Sequence, residues 1–350
     1  MDLETLVKKT FGIDAEIISK TEMEKGASSR RYFRIELKGL TAPSTAVVMQ
    51  LPKDPMVSDE VQSLETSEEL SFVNIQRFMT DSQLRVPKIY LNAADEECLI
   101  LEDLGNETLN SKIKTCSAKE IEQWYLAAVD LLSKMHRNMQ PLNENCFASK
   151  RYFDRDLLRW ELDHYLKWGL YEYKGLKSLD ERIVDELNEA FDELADEIAS
   201  LPFGFVHRDY QSRNLMVTPG KISKNNLAII DFQDAMTGPR VYDLVALLND
   251  SYVDLPGDVQ KRLIDRYTTR MNLSRSEVQY EFDLITVQRK LKDGGRFVFI
   301  DREKGDPSFL PFVEKSFSRV ARVLWRLPGH SQLKNALVKI DPENFSKPEH

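Results

Sequence analysis

The chain has 350 residues, 42% apolar and 30% charged, enough to bury a substantial core in two or three lobes. It carries 48 basic against 57 acidic residues, a net charge of −9, which excludes a general affinity for nucleic acid because no chain-wide basic excess neutralises phosphates. Apolar runs, as at 46–51, reach only about six residues, far short of the roughly 20 of a membrane span.

The opening MDLETLVKKT lacks the apolar segment of a secretory signal, and Cys98, Cys116 and Cys146 show no CxxC spacing. A cytoplasmic protein with reduced cysteines and no zinc site is expected. Residues 1–12 carry a short amphipathic helical pattern. Runs at 15–21, 32–37 and 46–51, rich in β-branched and aromatic residues, predict a small antiparallel sheet. Between the first two runs the chain turns small and then basic, with Ser28, Ser29, Arg30 and Arg31. This stretch reads either as a phosphate-contacting hairpin or as a solvated turn. A helix is expected over 59–80, ending before Val86-Pro87, and a short strand at 98–101 runs into Glu102-Asp103-Leu104-Gly105.

Beyond that point helical periodicity dominates. Trp124, Leu126, Val129, Leu132 and Met135 make one apolar stripe over 119–138, and Ile183, Leu187, Phe191, Leu194 and Ile198 make another over 180–200. Apolar runs at 203–206 and 227–230 interrupt the helices and lead directly into acidic loops. Helical spacing resumes at 241–252, 259–271 and 282–298. The order predicts an α+β chain: a β-rich N-terminal lobe over 1–101, a linker at 102–105, a helical lobe over 106–325 and a tail at 326–350. Pro328, Gly329, Pro342 and Pro348 mark that tail as partly mobile.

The strongest chemical signal is His207-Arg208-Asp209-Tyr210-Gln211-Ser212-Arg213-Asn214, followed by Ala228-Ile229-Ile230-Asp231-Phe232. Phosphoryl transfer needs an acceptor hydroxyl held in line and a divalent cation on the phosphates. Asp209 can take the hydroxyl proton, while Asn214 and Asp231 offer oxygen ligands that suit Mg²⁺ rather than zinc. Taken singly, either aspartate reads as a turn cap after a strand; the combined H-x-D-x4-N and D-F spacing favours the catalytic set. His207 fits a backbone brace better than a proton carrier.

These motifs resemble the aminoglycoside phosphotransferase and choline kinase superfamily, which has the two-lobed protein-kinase fold. The resemblance implies ATP and Mg²⁺ as cofactors, Asp209 as catalytic base, and Asn214 and Asp231 as metal ligands. It also implies that the backbone around Glu102 and Leu104 meets adenine. Arg30-Arg31-Tyr32-Phe33-Arg34, Asp103-Leu104-Gly105, Tyr242-Asp243-Leu244, and Gln288-Arg289 with Leu291-Lys292 narrow the match. Together with the catalytic motifs they resemble bacterial anomeric kinases that phosphorylate C1 of N-acetylmuramate and N-acetylglucosamine in peptidoglycan recycling. The implied partner is a small N-acetylated amino sugar.

The sequence departs from protein kinases at two places. The run Val47-Val48-Met49-Gln50-Leu51 contains no lysine, Lys53 falls two residues past it, and Gln233 stands where D-F-G has glycine. The phosphate grip then falls to Arg30, Arg31 or Arg34 with the backbone around 27–29. Asp243 is expected to brace the catalytic loop. Arg289 and Lys292 read as a solvated helix face, with contact to a substrate carboxylate as the alternative. Trp160, Tyr165, Trp168 and Tyr171 read as core more readily than as a sugar-stacking platform. Two rival readings stay open: a kinase of another small alcohol or amino sugar, such as an aminoglycoside, choline or homoserine, and a nucleotide-binding pseudokinase. A kinase of protein substrates is disfavoured, because no activation-segment motif follows Asp231 and the chain reaches Gly238-Pro239 so soon that little room is left for a peptide-docking loop.

Overall fold

The computed structural model describes residues 2–23, 30–52, 69–176 and 180–347. Ser28, Ser29, Lys53 and the first part of the helix expected over 59–80 lie outside them. The small lobe starts with α1 (Leu3–Phe11), capped by Asp2, whose carboxylate accepts the Thr5 N–H at 2.8 Å. Next come β1 (Glu16–Glu22), β2 (Arg31–Lys38), β3 (Thr45–Gln50), α2 (Ser71–Asp81), β4 (Ile89–Ala93) and β5 (Cys98–Glu102). The strands form one antiparallel sheet in the order β1-β2-β3-β5-β4.

The two-residue period of the strands sorts the sheet faces. Phe33, Ile35 and Leu37 of β2, with Ala46 and Val48 of β3, pack against Leu6, Val7 and Phe11 of α1. Tyr32 on β2, with Val47 and Met49 on β3, belongs to the opposite packing group, which continues through α2 into the large lobe. The lysine-free face of β3 is therefore a packed apolar surface.

The large lobe runs through α3 (Leu109–Ile113), α4 (Ala118–Asn138), α5 (Arg155–His164) and α6 (Glu181–Ala199). Then follow β6 (Phe203–Val206), β7 (Leu215–Val217), β8 (Leu227–Ile229), β9 (Met236–Pro239), α7 (Tyr242–Leu248), α8 (Gly257–Met271), α9 (Arg275–Lys304), α10 (Val313–Leu324), α11 (Ser331–Ile340) and α12 (Pro342–Phe345). Two short antiparallel pairs, β6 with β9 and β7 with β8, hold the acidic loops. Ser117 starts α4 with a reciprocal capping box to Glu120.

The long α9 is the spine of the lobe, starting at the Ser274 cap and ending at Gly305 with φ 69°. Gly295 lets it press against the end of α5: a β-carbon there would lie 2.9 Å from the His164 carbonyl oxygen and the Tyr165 Cα. The aromatic segment continues α5 as wider π-helical turns over Tyr165–Tyr173. Tyr165 and Trp168 are buried, with Tyr165 against Phe191 and Phe317 and Trp168 against Phe299, so these two rings are core. The C-terminal segment corrects the expected mobile tail. Leu333, Ala336, Leu337 and Phe345 are buried, because the apolar faces of α11 and α12 pack on α6 and α10 despite the prolines. Among the described residues no helix is long and apolar enough to cross a membrane.

Candidate active site

The end of β6 feeds a loop whose backbone is pinned from below. The Asp243 carboxylate, fully buried at the start of α7, accepts the His207 N–H at 2.7 Å and the Arg208 N–H at 3.0 Å. His136 on α4 lies 3.4 Å from the same carboxylate, and Tyr267 stands behind His136 at 2.8 Å. This arrangement agrees with the bracing expected of Asp243. The His207 ring contacts the Ile230 carbonyl oxygen at 3.0 Å, so the two acidic loops are joined at their bases. Arg208 and Asp231 both adopt left-handed backbone conformations, φ 75° and 65°. Non-glycine residues hold such angles only where surrounding contacts enforce them.

Asp209, Asn214 and Asp231 come together above this platform. The Asn214 Nδ2 donates to the Asp209 carbonyl oxygen at 2.8 Å and to Asp231 Oδ2 at 3.3 Å, which leaves Asn214 Oδ1 available as an oxygen ligand. Asp250, buried after α7, fixes the intervening turn by accepting the Ser212 N–H at 2.9 Å. Burial pushes the Asp231 carboxyl up, the Asp209 charge pushes it further, and the Gln233 hydrogen bond partly offsets both. Gln233 explains its place in D-F-Q: its Nε2 bridges Asp231 Oδ1 and Asp234 Oδ2, each at 3.0 Å. The Gln233 carbonyl oxygen in turn accepts from Arg151 Nη1 at 2.8 Å. Phe232 packs at 4.9 Å on Phe72 of α2, tying the acidic segment to the small lobe.

The Asp231 carboxylate, whose ionisation the fold opposes, forms with the Asn214 amide oxygen a donor set that suits a hard divalent cation. Among the described residues no three His, Cys, Asp or Glu side chains could enclose a metal. A cation at Asn214 and Asp231 would therefore draw further ligands from water or phosphate, as Mg²⁺ does.

The three arginines of β2 and its approach separate. Arg31 points away, paired with Glu22 at 3.0 Å and lying over the Phe33 ring. Arg34 clamps the linker through Asp103 and the Gly105 carbonyl oxygen at 3.0 Å. Arg30 hydrogen-bonds Tyr32, whose hydroxyl is pushed up by burial and lies within reach of the Asp231 and Asp234 charges. Arg30 is the one of the three beside the acidic cluster. In the linker, both Glu102 oxygens accept from Arg85 at 2.6 and 2.7 Å. The Glu102 and Asp103 side chains are thus occupied, and any ligand contact around Glu102 and Leu104 is left to the backbone.

The solvated face expected for Arg289 and Lys292 is not observed. Arg289 is buried, with Nη2 3.6 Å from Asp209 Oδ1, and Lys292 Nζ lies 3.6 Å from Glu161 Oε1 inside the lobe. The period of α9 conceals this, because the helix is buried around most of its circumference and its charges face other charges rather than water.

The family model for the phosphotransferase enzyme family matches residues 21–277. An N-acetylmuramate/N-acetylglucosamine kinase of Pseudomonas putida is 28% identical over 329 residues, covering 92% of this chain and 88% of that one. The Neisseria meningitidis kinase of the same name is 25% identical over 322 residues, covering 90% and 88%. Among solved structures, the GDP complex of wild-type aminoglycoside 2′-phosphotransferase-IIIa superposes with a TM-score of 0.60 at 13% identity, covering 89% of this chain and 96% of that one. An ethanolamine kinase of Plasmodium vivax gives 0.55 at 14%, covering 89% and 84%. These likenesses fix the fold as the two-lobed, protein-kinase-like one. With the paired acidic loops at the cleft and a family match across most of its length, the chain belongs to the phosphotransferase enzyme family.

Proposed function

We propose that this protein transfers the γ-phosphate of ATP to the anomeric hydroxyl of N-acetylmuramate or N-acetylglucosamine, acting in the cytoplasm on sugars released from peptidoglycan. The observation that carries the chemistry is the Asn214 amide bridging the Asp209 backbone and the Asp231 carboxylate. It brings the Asp209 loop against the Asn214 and Asp231 side chains, which supports reading Asp209 as proton acceptor and the other two as cation ligands. The choice of acceptor rests on similarity to kinases named for these two sugars over about nine-tenths of both chains.

In this reading Asp209 orients the sugar hydroxyl and takes its proton as the phosphoryl group departs from the nucleotide. An anomeric hydroxyl is more acidic than an ordinary alcohol, which eases that transfer. Asn214 and Asp231 would hold Mg²⁺, which would neutralise phosphate charge. The nucleotide would lie between the lobe at 1–101 and the helical lobe at 106–325. The backbone of Glu102 and Leu104 would meet its adenine, and Arg30 with Ser28 and Ser29 would hold its phosphates.

Measuring ADP release with N-acetylmuramate, N-acetylglucosamine, kanamycin, choline and homoserine tests the assignment. Turnover with the two N-acetylated sugars supports it. Turnover only with a cationic acceptor replaces the substrate while keeping the chemistry, and nucleotide binding without turnover favours a pseudokinase.

A further inference from the structure

Arg208, the residue immediately before Asp209, is held in its left-handed conformation from both sides. Its N–H is accepted by Asp243 at 3.0 Å, and its carbonyl oxygen accepts from Arg289 Nη1 at 3.0 Å. The peptide unit that the second bond fixes also contains the Asp209 nitrogen, so the Asp209 direction depends on Arg289. The other terminal nitrogen, Nη2, stands 3.6 Å from Asp209 Oδ1. One planar guanidinium thus addresses both the backbone and the side chain of the proposed base, which the point charge of lysine cannot reproduce.

Arg289 is itself immobilised. Its guanidinium lies over the Tyr242 ring at 4.7 Å, and its Nε is 3.9 Å from Asp293 Oδ2. Asp293 is fixed by Lys290 at 2.7 Å. The close approach of α9 to α5 at Gly295 sets the height of the helix that carries these groups. Only 4% of Arg289 is exposed, so a direct role in gripping a substrate would require it to abandon this geometry.

We infer that Arg289 is a positioning residue that aims Asp209 at the acceptor hydroxyl by pinning the Arg208 carbonyl and flanking the Asp209 carboxylate. The inference rests on the reading of Asp209 as the proton acceptor. A displacement of about 1 Å in such a group can lower turnover on the order of 10²-fold.

The test compares Arg289→Lys, Arg289→Met and Asp209→Asn, using whichever acceptor the wild type turns over. Arg289→Met is expected to lower kcat about 10²-fold while the dissociation constant of Mg²⁺·ADP stays within about threefold. Arg289→Lys, which keeps charge and most of the bulk, is expected to fall between the two. In parallel, hydrogen exchange of the peptide containing Arg208–Gln211 should rise in both Arg289 variants while that of β6 does not. This readout needs no acceptor.

Wild-type kcat in Arg289→Lys and Arg289→Met with an inactive Asp209→Asn would overturn the Arg289 assignment alone. Unchanged exchange in the loop would overturn it as well, as would a loss of kcat matched by an equal loss of nucleotide affinity. An active Asp209→Asn would instead remove the proton-acceptor reading on which the inference stands.

Discussion

Arg34 on β2 donates to both oxygens of Asp103, Nε to Oδ2 at 2.7 Å and Nη2 to Oδ1 at 2.9 Å, and so fastens the small-lobe sheet to the linker. The bond is bidentate and charge-assisted, with the Asp103 side chain only 6% exposed. Burial would raise the Asp103 carboxyl, but Arg34, the Gly105 N–H and Thr45 outweigh it and hold the group below the usual carboxylate range.

Arg34→Ala orphans that carboxylate and should cost about 2–4 kcal/mol at neutral pH, somewhat less than breaking a fully buried pair. Because the folded carboxyl lies below its unfolded value, the stabilisation is present above the ordinary carboxylate range and is lost as pH falls through the folded value. The deficit of the variant should therefore shrink on acidification. Urea unfolding of both proteins at neutral and acidic pH measures the difference.

Asp209→Asn removes the proposed proton acceptor without changing size, so kcat should fall about 10²–10⁴-fold. Nucleotide affinity should stay close to that of the wild type, since the proposed role concerns the acceptor. Steady-state kinetics with nucleotide titration separates the two quantities.

Asp231→Asn should abolish the Mg²⁺ dependence of nucleotide binding. It should also raise the melting temperature of the metal-free protein. Burial and the Asp209 charge raise the folded Asp231 carboxyl above its unfolded value. Its ionised form therefore opposes folding once pH exceeds the unfolded value, and an amide escapes that penalty. Thermal melts with and without Mg²⁺ should show a larger magnesium shift for the wild type than for the variant.

Asp243→Ala leaves the His207 and Arg208 N–H groups buried without an acceptor. At about 1–3 kcal/mol for each unsatisfied group, a loss of about 2–6 kcal/mol is expected, and activity should decline with folded fraction and loop order together. Denaturation midpoints compared with specific activity check this.

The sequence made the acidic centre legible because its parts are close along the chain: five positions separate Asp209 from Asn214, and Asp231 ends a recognisable strand. The residues that aim them are remote. Arg289 is 80 positions from Asp209, and Asp250, which fixes Ser212, carries no local signature. Arg31 and Arg34 looked equivalent in Arg30-Arg31-Tyr32-Phe33-Arg34, yet strand alternation sends one outward and a linker carboxylate captures the other. Met236–Pro239, outside the strands expected from the sequence, becomes one by pairing with β6. The proline-bearing C-terminus looked mobile because nothing local reveals the α6 and α10 surfaces that cover it.

The most direct test of the central claim is the site of the new phosphate. Wild-type protein is incubated with Mg²⁺·ATP and N-acetylglucosamine or N-acetylmuramate, and the product is examined by phosphorus–proton correlation NMR. The account predicts a phosphorus resonance coupled to the anomeric proton of the sugar, absent with Asp209→Asn. A phosphate coupled to the C6 protons, or no transfer to either sugar while another acceptor is phosphorylated, would contradict it.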